Sequence, residues 1–139
     1  MVAREAILSY RRTAVETADG PRLILMAYEG AIGALREAEE ALHRRDYETK
    51  AKELIRAQDF IGALSSGLNP EAGELTANLR SLYTYMLNIL VLIDPKTERE
   101  RIVRARTMLE ELHSAWKKII DTPRLPGNPD KTHLEEAAV

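Results

Sequence analysis

The chain contains no cysteine, which removes disulfides, thiolate nucleophiles and the commonest ligands of structural zinc. Its seven glycines and six prolines are too few for a loop-rich all-β fold and leave helix as the favoured state. A strong charge of one sign is missing as well: the formal net charge is −2. Without a long-range field to draw it to phosphate backbones or anionic lipid, the chain is not expected to bind nucleic acid. Long apolar runs are also lacking. The most apolar stretch, Leu82 to Ile93, is too short to span a bilayer, so no membrane insertion is expected. Residues 1–10 carry Arg4 and Glu5 and have no apolar core followed by a small-residue cleavage site, so they do not read as a secretory signal. A cytoplasmic location is the expectation.

What is present is a chain of 139 residues, 45% hydrophobic and 30% charged, sized for one domain with one core. Asp19-Gly20-Pro21, Arg45-Asp46, Asn69-Pro70 and Asp94-Pro95 each combine a capping side chain or a polar break with a residue that suits a helix start. An Asp or Asn oxygen accepts a hydrogen bond from a first-turn N–H, and proline there gives up a donor that has no intrahelical partner. These marks predict helices over 20–44, 46–67, 70–93 and 95–121, with Gly67 suited to a left-handed stop.

Each segment carries one apolar stripe at three- and four-residue spacing. The stripes are Ile24, Tyr28, Ala31, Leu35, Ala38 and Leu42; then Leu54, Ala57, Ile61, Leu64 and Leu68. On the third and fourth helices they run Leu75, Leu79, Leu82, Met86, Ile89 and Ile93, then Ile102, Ala105, Leu109, Leu112, Trp116 and Ile119. Helices of similar length joined by short connections run antiparallel to their sequence neighbours. The expected fold is therefore all-α, an up-down-up-down four-helix bundle over 19–121. Residues 1–18 are expected to form a short helix or lid, and 122–139 a weakly ordered tail.

Two Glu-x-x-His pairs, Glu40/His43 and Glu110/His113, have the spacing used by di-iron carboxylate bundles. At about 100° per residue both pairs fall well off their apolar stripes. The second and third helices offer no inward carboxylate to complete a ligand set, so no metal is expected and the pairs read as solvated surface charge. With no nucleophile elbow and no Gly-rich phosphate loop, neither catalysis nor a cofactor is expected.

The unusual feature is the third helix, where only Thr84 and Asn88 are polar between Leu82 and Ile93. Beyond the core stripe, Tyr83, Leu87 and Leu90 fall on one flank, Tyr85 and Leu92 on the other, and Val91 near the back. A bundle helix ordinarily keeps a wide polar face. One reading is that the first twenty residues cover the excess as a lid; another is a groove for a partner's amphipathic helix. Both hold if the lid is displaced by the ligand. On the second helix, Gly62, Ala63, Ser65 and Ser66 are small enough for a foreign backbone to approach, and Ile55 points away from its own core. Burying about 500 Å² of apolar surface at about 25 cal/mol per Å² gives a gross term of about 12 kcal/mol, much of it offset by ordering a flexible ligand. A homodimer through the same flank, or a structural adaptor without holding activity, is the competing reading.

The run Thr17-Ala18-Asp19-Gly20-Pro21-Arg22-Leu23-Ile24-Leu25-Met26-Ala27-Tyr28-Glu29-Gly30-Ala31 resembles the first bundle helix of the FliS flagellin-export chaperones. Gly73-Glu74, Asn78-Leu79 and Leu82-Tyr83-Thr84-Tyr85 look like that family's second signature, Trp116 matches a late tryptophan, and Tyr10 an N-terminal tyrosine. Pro21 falls one place later than the usual turn proline, and Ala27 replaces a common Leu. The resemblance implies a cytosolic, non-enzymatic bundle that binds the disordered C-terminal segment of flagellin, prevents premature polymerisation and presents the client to a component of the flagellar export apparatus. By position it implies Ile7 and Tyr10 as lid or contact residues and Tyr83, Leu87, Leu90 and Val91 as groove anchors. Tyr28, Ile61 and Leu64 are further contacts that the core explains equally well.

Overall fold

In the computed structural model, which describes residues 20–121 apart from Pro70 and Ala72, the chain forms α1 (Gly20–His43), α2 (Tyr47–Ser66), α3 (Glu74–Val91) and α4 (Glu98–Asp121). They pack in sequence order as an antiparallel bundle, α4 closing back on α1. No strand occurs among the described residues. The expected lid and tail lie outside the described residues, and with them Ile7 and Tyr10.

Alanine decides how the first two helices meet. Ala27, Ala31, Ala34, Ala38 and Ala41 are all buried on α1, so α2 approaches closely and sets the Phe60 ring directly over Gly30. A Cβ at Gly30 would stand 2.5 Å from Phe60 Cζ. The connection between the two helices is compact. The Arg45 amide donates to Leu42 O and the Asp46 amide to Ala41 O, with Arg45 at φ 61°. That is a Schellman stop with an arginine in the left-handed position usually held by glycine. The next residue, Asp46, then accepts from the Thr49 amide at 3.1 Å and starts α2, as its sequence position predicts.

The other predicted caps do different work. Asn69 Oδ1 accepts from the Glu71 amide, and its carbonyl accepts from buried Thr76 Oγ1 at 2.7 Å. Asn69 thus shapes a turn, and α3 begins at Glu74 rather than 70. Asp94 likewise accepts from the Lys96 amide, which delays α4 to Glu98 from the predicted 95. Gly67 ends α2 at φ −81°, so the left-handed freedom expected of it is not used.

The core joins Tyr28, Ala31 and Leu35 with Leu54, Ala57, Ile61 and Leu64, and with Ile102, Ala105, Leu109 and Trp116. On these three helices the predicted stripes face inward or lie half-buried. The third helix differs. Its buried line is Thr76, Leu79, Tyr83, Met86, Ile89 and Leu90, whereas Leu75, Leu82 and Ile93 are exposed. Relative to the predicted stripe, α3 is turned by roughly 50°, half of one residue's rotation. The cause is polar. Trp116 Nε1 donates to Tyr28 Oη at 3.0 Å, and the hydroxyls of Tyr28 and Tyr83 bond to each other. Buried hydroxyls need partners, and turning Tyr83 inward satisfies it and Tyr28 together.

Candidate partner-binding surface

Turning α3 moves its surplus of apolar surface without removing it. On the side facing α4, the Tyr85 hydroxyl accepts from Arg104 Nη1 at 3.0 Å, and Leu82, Tyr85, Leu92 and Ile93 are exposed. On the opposite side, across the core line and next to α2, Leu87 is half-buried and Val91 is 58% exposed.

The α2 wall of that second side is low. Ile55 is 45% exposed, and nothing lies within 4 Å of where a Cβ would stand on Gly62. Counting away from the α2–α3 connection places Ile55 at about the height of Leu87, and Ala51 at about that of Val91. Tyr47, Ala51, Ile55, Gln58, Gly62 and Ser65 run along this side of α2, with the charged Lys52 and Asp59 three residues before and four residues after Ile55. Ile55 on α2 and Leu87 and Val91 on α3 thus leave apolar surface uncovered on this side of the bundle.

Of the residues singled out as contacts, Tyr28, Ile61, Leu64, Tyr83 and Leu90 lie in the core. Tyr83, at 2% exposure, and Leu90 are not the open groove walls they were expected to be, because the tyrosine pair and Trp116 draw their line inward. Leu87 and Val91 stand at the trough, and Ile55 joins them. Leu82 and Ile93, read from spacing as core, are instead surface. The signal in the sequence for this rotation is the set of three long aromatic side chains, Tyr28, Tyr83 and Trp116, each with a polar tip that needs a buried partner.

The buried phenols are held neutral. Desolvation, with a smaller opposing effect of the Tyr28 hydrogen bond, pushes Tyr83 up to about 12 from 10.0. Burial pushes Tyr28 up further still. Outside the core the charges pair across helices: Lys50 with Glu98 at 2.9 Å, Arg106 with Glu39 at 3.1 Å, and Arg36 with Glu110.

The Glu-x-x-His residues take no part in a common site. His43 and Glu40 are exposed at the end of α1, and Glu110 is engaged by Arg36 and Arg106. The His113 ring centre lies 6.5 Å from that of Tyr28, and its Nε2 is 3.6 Å from Glu29. Among the described residues no group of three or more His, Asp or Glu side chains is placed to hold a metal, and no helix is long and apolar enough to cross a membrane.

Comparison with known proteins places these features in a family. Residues 3–123 match the family described as Flagellar protein FliS. The flagellar secretion chaperone FliS of Bacillus subtilis is 31% identical over 124 residues, covering 89% of this chain and 92% of that protein. Its counterpart in Salmonella typhimurium is 31% identical, with 86% and 93% covered. Flagellar secretion chaperone FliSB of Pseudomonas aeruginosa is 30% identical, with 86% and 98% covered. With a match running almost end to end, an all-helical bundle and an aromatic core built on the signature tyrosines, this chain belongs to the FliS family of flagellar proteins.

Proposed function

We propose that this chain is a non-enzymatic flagellar export chaperone that holds the C-terminal segment of flagellin in the trough between α2 and α3. The observation that carries the reading is that Ile55 of α2 and Leu87 and Val91 of α3 stand partly or largely uncovered. An amphipathic segment that is disordered when free buries its apolar face there and becomes helical, so part of the contact energy orders the ligand and release remains accessible. Leu87 and Val91 touch the client. Tyr28, Ile61, Leu64, Tyr83 and Leu90 form the core that holds the trough walls in place, and Ile7 and Tyr10 serve as lid or contact residues. Masking the segment in the cytoplasm prevents premature polymerisation, and the complex is handed to a component of the export apparatus. The names of the relatives, all secretion chaperones, support the role.

The test is calorimetric titration of the full chain with a peptide of the C-terminal segment of its own organism's flagellin. Ile55→Asp and Val91→Asp are expected to weaken binding at least tenfold with helicity retained. Unchanged binding in both variants removes the trough as the client site. Light scattering with and without peptide tests the competing reading: a stable dimer that ignores the peptide favours self-association through the flank of α3.

A further inference from the structure

The two helices that flank the proposed client site carry opposite, unpaired charges beside its apolar residues. On α2, Asp59 follows Ile55 by one turn, so the two side chains are neighbours on the helix surface. Asp59 is half-buried, and its Oδ2 is buried with no hydrogen-bond partner. A carboxylate oxygen that has lost water without gaining a donor is in its costly state, and a cation brought beside the group offsets part of that cost.

The bases of α2 do not supply it. Arg56, three residues before Asp59, meets Glu53 at 3.4 Å and lies 5.8 Å from the centre of the Phe60 ring, which packs on Gly30 of α1. Lys52, two turns before Asp59, has Glu48 as its neighbour of opposite sign one turn earlier. From Phe60 to Asn69 no charged residue follows.

On α3 no charge occurs from Ser81 to Val91. Arg80 stands two turns before Leu87, within about 20° of the same line, and is exposed. Among the described residues it has no hydrogen-bond or ion-pair partner. With Ile55 at about the height of Leu87 and the helices antiparallel, Arg80 comes at about the height of Gly62. That is three residues beyond Asp59, or about 4.5 Å along the axis.

Building on the reading of this side as the client site, we propose that Asp59 and Arg80 set the direction in which the client helix lies. The client turns a basic edge to α2 and an acidic edge to α3, one on each side of its apolar stripe. A helix with its apolar face down exchanges its two edges when its direction is reversed, so opposite charges on the flanking helices distinguish the two directions. Burial of Ile55, Leu87 and Val91 is non-directional. The direction decides from which end of the bundle the rest of the client chain leaves.

The test uses two 18-residue designed peptides with leucines at helical three- and four-residue spacing. One has lysines along one edge of the stripe and glutamates along the other; the second has the edges exchanged. The chain contains no cysteine, so Ser66→Cys, at the exposed end of α2, takes a single acceptor dye, and each peptide carries a donor at its N-terminus. The ends of such a helix are about 27 Å apart, and energy transfer on the full chain in low salt reads the direction. The peptides are expected to lie in opposite directions, each favoured about tenfold over its reverse, the effect of two exposed ion pairs.

In Asp59→Lys/Arg80→Glu both directions are expected to reverse. In Asp59→Asn/Arg80→Gln, which decides the matter if the exchange variant loses helicity, the difference between the peptides is expected to vanish. Ile55→Asp is expected to weaken both peptides. Equal transfer from the two peptides, a difference that survives these charge changes, binding indifferent to Ile55→Asp, or no binding of either peptide overturns the proposal. If the peptides behave as expected and the flagellin segment does not bind, the client assignment fails and the charge rule stands. If the segment binds and is weakened by Ile55→Asp while the peptides lie the same way, the charge rule fails and the client assignment stands.

Discussion

The hydroxyls of Tyr28 and Tyr83 meet in the interior of the bundle and join α1 to α3, with Trp116 of α4 donating to the same oxygen of Tyr28. Three of the four helices are thereby fixed in register by polar contacts, which specify orientation more narrowly than leucine packing does. Tyr83→Phe removes one of these bonds and keeps the ring; the expected loss is about 1–2 kcal/mol in urea unfolding. Tyr83→Asp places a carboxylate in the same space and is expected to unfold the bundle, which circular dichroism reads directly. A folded Tyr83→Asp protein would place Tyr83 on the surface.

The same pair sets the alkaline limit of stability. A phenol raised to about 12 in the folded state against 10.0 for an ordinary one contributes stability that is complete below pH 10. That contribution is lost between pH 10 and 12, as the unfolded chain ionises first. Tyr28 shifts in the same direction. The stability is therefore expected to hold level from pH 8 to 9.5, then fall by up to about 1.4 kcal/mol per pH unit for each phenol. In Tyr83→Phe the fall above pH 10 is expected to be shallower. Equal slopes in the two proteins would remove Tyr83 as a source.

Gly30 and Gly33 lie one turn apart on α1 and predict opposite outcomes. Gly33 is exposed, with nothing within 4 Å of a new Cβ, so Gly33→Ala is expected to stabilise by about 0.5–1 kcal/mol through helix propensity alone. At Gly30 the new carbon meets three atoms of the buried Phe60 ring. Overpacking there costs about 1–3 kcal/mol, more than propensity returns, so Gly30→Ala is expected to destabilise. In a double-mutant cycle, Phe60→Leu should relieve the part of that cost that comes from the clash.

How much of this was legible in the sequence follows from which forces are local. Stripes on α1, α2 and α4 are set by helical period and aliphatic burial, and Leu54, Ile61, Leu109 and Trp116 lie where spacing puts them. The cap at Asp46 is likewise a matter of neighbouring residues. The face of α3 is not, since with apolar residues nearly all round several rotations bury similar area. The choice among them comes from Tyr28 and Trp116, distant in sequence. A rotation half a residue away places Tyr83 and Leu90 in the groove and Leu82 and Ile93 in the core. The excess of apolar circumference, a property of the whole helix, survives any rotation. Asn69 and Asp94 depart from the predicted caps for another reason: each accepts a hydrogen bond from the amide two residues ahead and builds a turn, an alternative use of the same side chain.

Arg45 holds φ 61°, a conformation that costs a residue with a Cβ about 1 kcal/mol relative to glycine. The side chain is exposed, while the amide bonds that close the turn belong to the backbone. Arg45→Gly is therefore expected to raise the thermal midpoint, by the few degrees that about 1 kcal/mol brings to a domain of this size. The gain should disappear in Arg45→Ala, which keeps the Cβ. A drop with Arg45→Gly would mean that the arginine side chain contributes more than its backbone costs.

The turn between α3 and α4 places a comparable demand on one side chain. At the end of α3 the carbonyls of Ile89 and Leu92 have no intrahelical donor to meet, and the helix dipole leaves partial negative charge there. Arg101 answers both needs, and its fork reaches Asp94 O and Thr97 Oγ1 as well. Arg101→Met keeps most of the stem and removes every donor, so the expected loss is about 1.5–3 kcal/mol, the range for hydrogen bonds to a charged group. Arg101→Lys retains the charge near the dipole but cannot bridge carbonyls at several positions with one ammonium, and is expected to recover less than half of that loss. Urea unfolding of the three proteins separates the two contributions. Full recovery by lysine would assign the effect to charge alone.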